Sequence, residues 1–471
     1  MEDIVMENKE AFAEGIVEVT PLTSEELLTL LEEKKYSEIR TRAEKMLPPD
    51  LAELFDGIPV GCYALFFSLL PKELAAETFV EMDADINESL INSFNDSQLA
   101  DILDELYIDD TVDIIEEMPA SVVKRILRNS KSEDRETINR ILRYPKDSAG
   151  TLMTTEYVRF IGSMTVEMAL SHIRKVAIDK ETIYNCYVTD KNRRLLGLVT
   201  AKQLLLSELD VSLSEIMNEN VIAVETHDDK EEVANKLDKY GLLAVPVVDR
   251  ENRLVGIVTV DDAIDVIKEA SEEDFAKMAA ITPSETPYLK TGVFSLFKSR
   301  IPWLLILLIS STVSSAILTG FEAALPAVLV LFVPMIMGTG GNSGGQSSVT
   351  VTRSISLSEV EFSDLGRVFL KEMRVGILCG TVLGAVTFLK VYFIDGMLFG
   401  NEDVTLIVSL AVALSLSVTI LVAKMIGAVL PIVAKKIGLD PAVMASPLIT
   451  TLVDAVSLIV YFYVASAIIS F

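Results

Sequence analysis

The chain has 471 residues, half of them hydrophobic, with 41 basic and 69 acidic side chains and a net charge of −28. Residues 301–471 hold 8 of the basic and 10 of the acidic groups, which leaves 33 and 59 for residues 1–300. This split excludes a single soluble domain, and the acidic surplus excludes nucleic acid as a partner, because a polyanion is held by clustered Lys and Arg.

Residues 1–19 read as an N-terminal tail. Met1-Glu2-Asp3 is acidic and no apolar run follows, so no signal peptide is expected. Residues 20–143 read as an acidic, all-helical N-domain. Leu51-Ala-Glu-Leu, Leu74-Ala-Ala-Glu77, Leu99-Ala-Asp-Ile-Leu and Val112-Asp-Ile-Ile are short amphipathic segments. Leu-Pro or Met-Pro pairs at 47–48, 70–71 and 118–119 punctuate them, and proline suits a helix start. Short repeated helices predict a superhelical stack. Most of the carboxylates here read as a solvated face. Asp109 and Asp113 stand at i, i+4, where like charges repel by about 0.2–0.5 kcal/mol and a divalent ion would relieve them. The same argument applies to Asp262 with Asp265, and to the run Glu269, Glu272, Glu273, Asp274.

Residues 144–272 contain an internal repeat. Asp190-Lys-Asn-Arg-Arg-Leu-Leu-Gly197-Leu-Val-Thr200 recurs 59 residues later as Asp249-Arg-Glu-Asn-Arg-Leu-Val-Gly256-Ile-Val-Thr259. Each copy predicts a strand, a charged turn, and a strand leading into a helix. Leu152-Met153 and Ile216-Met217 open the two copies. The pattern resembles a tandem of α/β CBS domains, here 144–208 and 209–272. In that family a trailing Thr-x-x-Asp often cradles adenosine nucleotides, which makes Thr259 and Asp262 nucleotide candidates and ATP a candidate cofactor. The first copy has Gln203 in place of the acid, so a purely structural pair is the other reading. Residues 273–300 are expected to form a linking helix along the membrane surface, interrupted by Ser284, Pro287 and Gly292.

Five apolar stretches follow, near 301–320, 324–351, 373–394, 404–433 and 441–470. Each reaches the roughly 20 residues that cross a bilayer as a helix. Lys298, Arg300, Arg353, Arg367, Lys371, Arg374, Lys435 and Lys436 fall on one side, and Glu322, Asp395, Glu402 and Asp403 on the other. The positive-inside rule places the N-terminal domains in the cytoplasm and the C-terminus outside it. Polar groups within these helices are costly and mark function. The second stretch carries Gly338-Thr-Gly-Gly341-Asn342-Ser-Gly-Gly-Gln346. It reads either as small-residue helix packing or as irregular backbone lining a wet cavity. Asp454 is the only acidic residue after Asp440 and shares a face with Thr450 and Ser457 at i, i+4, i+7. Lys424 lies midway along the fourth stretch and has no assigned role. His172 and His227 are the only histidines, and Cys62, Cys186 and Cys379 show no CxxC spacing. That composition argues against a soft-metal centre, a disulfide framework and a hydrolase, and the chain reads as a non-enzyme.

A helical acidic domain, a CBS pair, a linking segment and five membrane helices together resemble the MgtE family of magnesium channels. Its most specific stretches here are Gly338–Ser347, Phe369-Leu-Lys-Glu-Met373, Gly427-Ala-Val-Leu-Pro431, Asp440-Pro-Ala, Pro447 and Asp454. The resemblance implies a homodimer in a cell membrane, with one Mg2+ pore on the two-fold axis. It implies Asp454 as the pore carboxylate, with Gly338, Gly341, Asn342, Gln346, Thr450, Thr451 and Ser457 lining the path. It implies regulatory Mg2+ on Glu77, Asp109, Asp113, Asp229, Glu231, Asp262, Asp265, Glu273 and Asp274, closing the pore when internal Mg2+ is high. Family acids are replaced by Gly241, Ala270 and Gln203, and an amide position by Ser446. The alternatives are an H+- or Na+-coupled divalent-cation transporter or exporter, and a membrane-anchored sensor.

Overall fold

The computed structural model describes residues 21–283, 288–322, 326–357, 359–444 and 446–469. The expected tail, Ser284 and Pro287 lie outside these. The chain divides into two compact units, Met1–Ile267 and Lys268–Phe471.

The first unit opens with helices of eight to ten residues, from Ser24–Glu32 to Ser132–Ile141. Proline sets several starts: Pro48 occupies the first turn of Pro48–Asp56, while Pro71 and Pro119 are the residues before Lys72–Val80 and Ala120–Asn129. From Pro48–Asp56 onward, each helix packs on the next but one, as Pro48–Asp56 does on Lys72–Val80 and that helix on Asp96–Leu103. This is the geometry of a superhelical stack, in which each short helix buries its apolar stripe only against its neighbours. Phe55, Phe66, Phe67, Phe79 and Phe94 fill the interior with edge-on and tilted ring contacts. The guanidinium of Arg125 donates to the carbonyls of Ile91 and Phe94, joining two successive layers.

The repeat folds as two three-stranded sheets of identical topology. In the first, β1 (Tyr157–Ile161) runs parallel to β2 (Thr182–Thr189), which pairs antiparallel with β3 (Leu195–Thr200). In the second, β4 (Val224–Glu225), β5 (Ala244–Val248) and β6 (Leu254–Thr259) repeat this order. The recurring Asp explains each turn. Asp190 Oδ1 accepts from the backbone N–H of Asn192 and Arg194 at 2.7 and 2.8 Å, and Asp249 Oδ1 from those of Glu251 and Arg253 at 3.0 and 2.8 Å. The recurring glycines have a different cause. A Cβ on Gly256 would come within 2.7 Å of the Thr154 carbonyl, and one on Gly197 within 3.0 Å of the Asn218 carbonyl. The opening segment of each copy therefore crosses the hairpin of the other, a swap that the linear repeat conceals. The core is continuous from the stacked helices through Ile138 and Ile141 into Val224, Val233, Val245 and Val258 of the second CBS domain.

Among its described residues the second unit has five helices long and apolar enough to cross a membrane: Val293–Phe321, Ala327–Ser356, Phe362–Leu398, Leu406–Lys436 and Ala442–Ile468. The fourth packs against the second, third and fifth, and the first rests on the fifth. Third and fourth helices approach along Gly376, Gly380 and Gly384, where Ser417 Oγ donates to the Gly380 carbonyl at 2.8 Å. Small residues permit such an approach in lipid, where dispersion and hydrogen bonds replace the hydrophobic effect.

Residues 273–300 differ from expectation. Helix Val260–Met278 runs past residue 272 without a break, and the next helix begins at Val293, eight residues before the expected first crossing. The described residues between them are non-helical. Ala280 takes a left-handed conformation, with φ of 54°, and Pro283 cannot continue a helix. The described part of the linking segment is thus the tail of one helix, non-helical residues, and the head of the first membrane helix.

Candidate functional site

The membrane unit brings part of the expected pore set together. A Cβ added to Gly341 would lie 3.4 Å from Asp454 Oδ1 and 2.9 Å from Thr450 Cγ2, and one on Gly340 would lie 2.5 Å from Ser457 Oγ and 2.9 Å from Thr419 Cγ2. The glycines of the second helix therefore lie directly against the polar face of the fifth. Asp454 Oδ1, Ser457 Oγ, Ser415 Oγ and Thr419 Oγ1 are buried without a hydrogen-bond partner. Buried oxygens left unpaired in a membrane segment are expensive, and a carboxylate oxygen among them suits a hydrated Mg2+, which keeps most of its waters and takes few protein ligands. Ser415 and Thr419 were missed by sequence reasoning, because small hydroxyl residues in an apolar helix give no distinct signal.

Gly338, Asn342 and Gln346 do not join this cluster. They recur every four residues and form an exposed stripe on the second helix, with open space beside Gly338. Thr451 turns back on its own helix, donating to the Leu448 carbonyl at 2.9 Å. The C-terminal half of the second helix is tied down by side chains. Ser348 Oγ donates to the Met444 carbonyl at 3.1 Å, and Ser347 Oγ to Glu372 Oε2 at 2.6 Å.

In the first unit the stack and both CBS segments bring acids together. Asp109 is buried, and its Oδ1 has no hydrogen-bond partner. Burial first, then the charges of Asp262, Asp110, Glu181 and Glu156, hold its carboxyl well above the ordinary range. Burial, with Asp262 next, pushes Asp110 up to about 7, and burial with Asp110, Asp261 and Asp262 does the same to Glu181. Asp262 rises to about 6, mainly through burial, against the lowering effect of the Thr259 hydroxyl, which donates to its Oδ2 at 2.5 Å. The charge of Asp262 thus reaches Asp109, a pairing that the sequence did not announce, and Asp265 is felt at Asp262. Asp110, Glu156, Glu181 and Asp261 join them unforeseen, since they come from four separate places in the chain. Among the described residues no three carboxylate, imidazole or thiol side chains form a ready metal cage. The orphaned Asp109 oxygen beside a second carboxylate still fits Mg2+, which is commonly held by one or two carboxylates plus water.

The other expected acids have different surroundings. Glu77 is exposed on Lys72–Val80. Asp113 follows Asp109 by one turn on Ile108–Glu117. Asp229 caps Lys230–Tyr240 by accepting from the Glu231 N–H at 2.9 Å, and Glu231 is exposed in that helix's first turn. In the second unit Glu273 and Asp440 each approach Lys277 Nζ at 2.7 Å, and Asp274 Oδ2 accepts from Ser356 Oγ at 2.9 Å. Gln203 is fully engaged: its Oε1 accepts from the Thr200 N–H at 2.8 Å and its Nε2 donates to the Ile216 carbonyl at 3.0 Å.

Comparison with known proteins agrees with this layout. Residues 333–464 match the family model described as a divalent cation transporter, residues 46–147 the MgtE intracellular N domain, and residues 149–209 and 213–269 the CBS domain. The magnesium transporter MgtE of Thermus thermophilus is 36% identical over 441 residues, 92% of this chain and 96% of that protein. That of Bacillus subtilis is 32% identical over 443 residues, 94% and 96% of the two chains. A solved structure of the cytosolic domain of the Mg2+ channel MgtE in complex with ATP is similar at 36% identity, with a TM-score of 0.49, covering 52% of this chain and 99% of that one. With matched segments running from the stacked helices to the last membrane helix, the chain belongs to the MgtE family of magnesium transporters.

Proposed function

We propose that this chain is a Mg2+ channel of the cell membrane, working as a homodimer and closed by Mg2+ bound to its cytoplasmic acids. The observation that carries the reading is Asp454. Its carboxylate lies against Gly341 in the membrane unit, with an oxygen that has no partner among the described residues, and Ser457 lies against the neighbouring Gly340. A single carboxylate per subunit, with water completing the shell, holds a divalent ion firmly enough to select it and loosely enough to release it. The relatives named as magnesium transporters support Mg2+ as the cargo. Loop charge supports a cytoplasmic N-terminus. The acids around Asp109 and Asp262 support the regulatory part, because a bound cation would relieve carboxyls that burial and mutual repulsion leave unfavourably charged. Asp262 serves the cation site in this reading, and with Gln203 replacing the first-copy acid the CBS pair is regulatory through Mg2+ rather than through ATP.

The test is flux into vesicles under a Mg2+ gradient alone. We expect passive uptake by the wild type and at least a tenfold loss in Asp454→Asn, with unchanged expression and assembly. Uptake that requires an imposed H+ or Na+ gradient would replace the channel with a coupled transporter. Wild-type flux through Asp454→Asn would remove the pore assignment.

A further inference from the structure

Lys424 is a charged side chain left with only 5% exposure inside the fourth membrane helix. A buried ammonium is costly unless it is paired. Among the described residues it has one hydrogen-bond partner: its Nζ donates to Ser347 Oγ at 3.4 Å. That hydroxyl in turn donates to Glu372 Oε2 of the third helix at 2.6 Å. Ser347 is 2% exposed and Glu372 half-buried. The three residues come from three helices and form one ammonium–hydroxyl–carboxylate chain with no net charge.

Its position says what it acts on. Ser347 directly follows the Gly338–Gln346 segment. At 3.6 residues per turn it points about 140° away from Asn342, so Lys424 faces the side of the second helix away from the exposed amide stripe. Three residues from Lys424 on the fourth helix, Gly427 meets the Gly344 backbone so closely that a Cβ there would collide with its carbonyl oxygen. A helix this rich in glycine has little side-chain packing of its own to fix its rotation. We propose that Ser347, Glu372 and Lys424 are positioning residues for Mg2+ permeation. They clasp the second helix to the third and fourth, and so hold Gly340 and Gly341 against Asp454 and Ser457. This rests on Mg2+ transport through the membrane unit, and not on the channel reading or on regulation by the cytoplasmic acids.

The test uses the full chain in vesicles, with Mg2+ uptake and thermal melting measured for Lys424→Met, Glu372→Gln, the double variant and Lys424→Arg. Removing one charge leaves the other without its counter-charge, whereas removing both does not. We expect each neutral single variant to lose at least tenfold in uptake, the double variant to return to within threefold of wild type, and Lys424→Arg to retain most of the flux. A merely structural cavity would not be rescued by a second truncating change. If the single variants fail to assemble, the double variant still decides: assembly with flux supports the clasp, and assembly without flux overturns it. Wild-type uptake in both single variants also overturns it. So does increased uptake in Lys424→Met, which would make Lys424 a barrier facing the ion path.

Discussion

A carboxyl that no longer ionises in the ordinary range is a statement about what it lacks. Asp109, Asp110, Glu181 and Asp262 are raised first by burial and then by neighbouring carboxylates. The consequence for pH has a definite sign. Between the usual carboxylate range near ~4 and the folded values of about 6 to about 7 for Asp262, Asp110 and Glu181, the folded state binds more protons than the unfolded state. Stability of this region therefore falls as pH rises through that window in the absence of Mg2+. Mg2+ must displace these protons to bind. Titration calorimetry of the full chain is therefore expected to give Mg2+ affinity roughly three- to tenfold tighter at about pH 8 than at about pH 6, with proton release detected as a buffer-dependent heat. Asp109→Asn with Asp262→Asn is expected to abolish the pH dependence. Its persistence in that variant would place the regulatory ions elsewhere.

At the scale of elements, some contacts leave no room for adjustment. Gly427 packs its Cα on the Gly344 backbone, and Gly344 in turn sits against Val453 and the Ala423 carbonyl. Because backbone meets backbone, no rotamer change relieves an added methyl. Gly427→Ala is expected to destabilise the membrane unit by about 1–3 kcal/mol, seen as a lower melting temperature of the purified protein, whereas Gly366→Ala, with open space beside it, leaves melting unchanged. Equal melting for the two would show that the helices separate there without cost. The sequence announced these elements unevenly. Apolar runs and proline punctuation located the membrane helices and the stacked helices, because burial in lipid or in a stack needs a continuous or periodic apolar face. The Asp-turn-Gly repeat located both sheets. Pairings between distant segments were not legible. Nothing local to Glu181 links it to Asp110, nothing near Met153 says that it crosses Gly256, and nothing near Lys424 names Ser347 and Glu372. The linking segment failed for a local reason: the apolar Val293–Phe297 run and the residues before Met278 share one helical pattern on either side of non-helical residues that include Ala280 and Pro283.

At the scale of the whole molecule, the exposed stripe of Gly338, Asn342 and Gln346 poses a question of solvent. Amide side chains on the outer face of a membrane helix have no partner in lipid, and uncompensated polar groups there are costly. In the proposed homodimer a second copy across a two-fold axis would answer this: the stripes of two subunits would face one another across water, and two copies of Asp454 would flank one path. Two carboxylates about one axis favour a divalent over a monovalent cation, because attraction scales with the ion's charge and Mg2+ can meet both through the waters it keeps. The arrangement predicts proximity. In a background with Cys62, Cys186 and Cys379 replaced by serine, Gln346→Cys is expected to cross-link to its symmetry mate under mild oxidation, and millimolar Mg2+ is expected to slow its reaction with small thiol reagents. Val382→Cys, on a 62% exposed position of the third helix, serves as the lipid-facing control and is expected to do neither. Equal cross-linking at both positions, or a transport-competent monomer by light scattering, would leave the stripe unexplained and remove the axial path. Cross-linking at Gln346→Cys without Mg2+ protection would keep the dimer and move the ion path within each subunit, towards Ser415, Thr419 and Ser457, whose hydroxyls are the unpaired oxygens on that side.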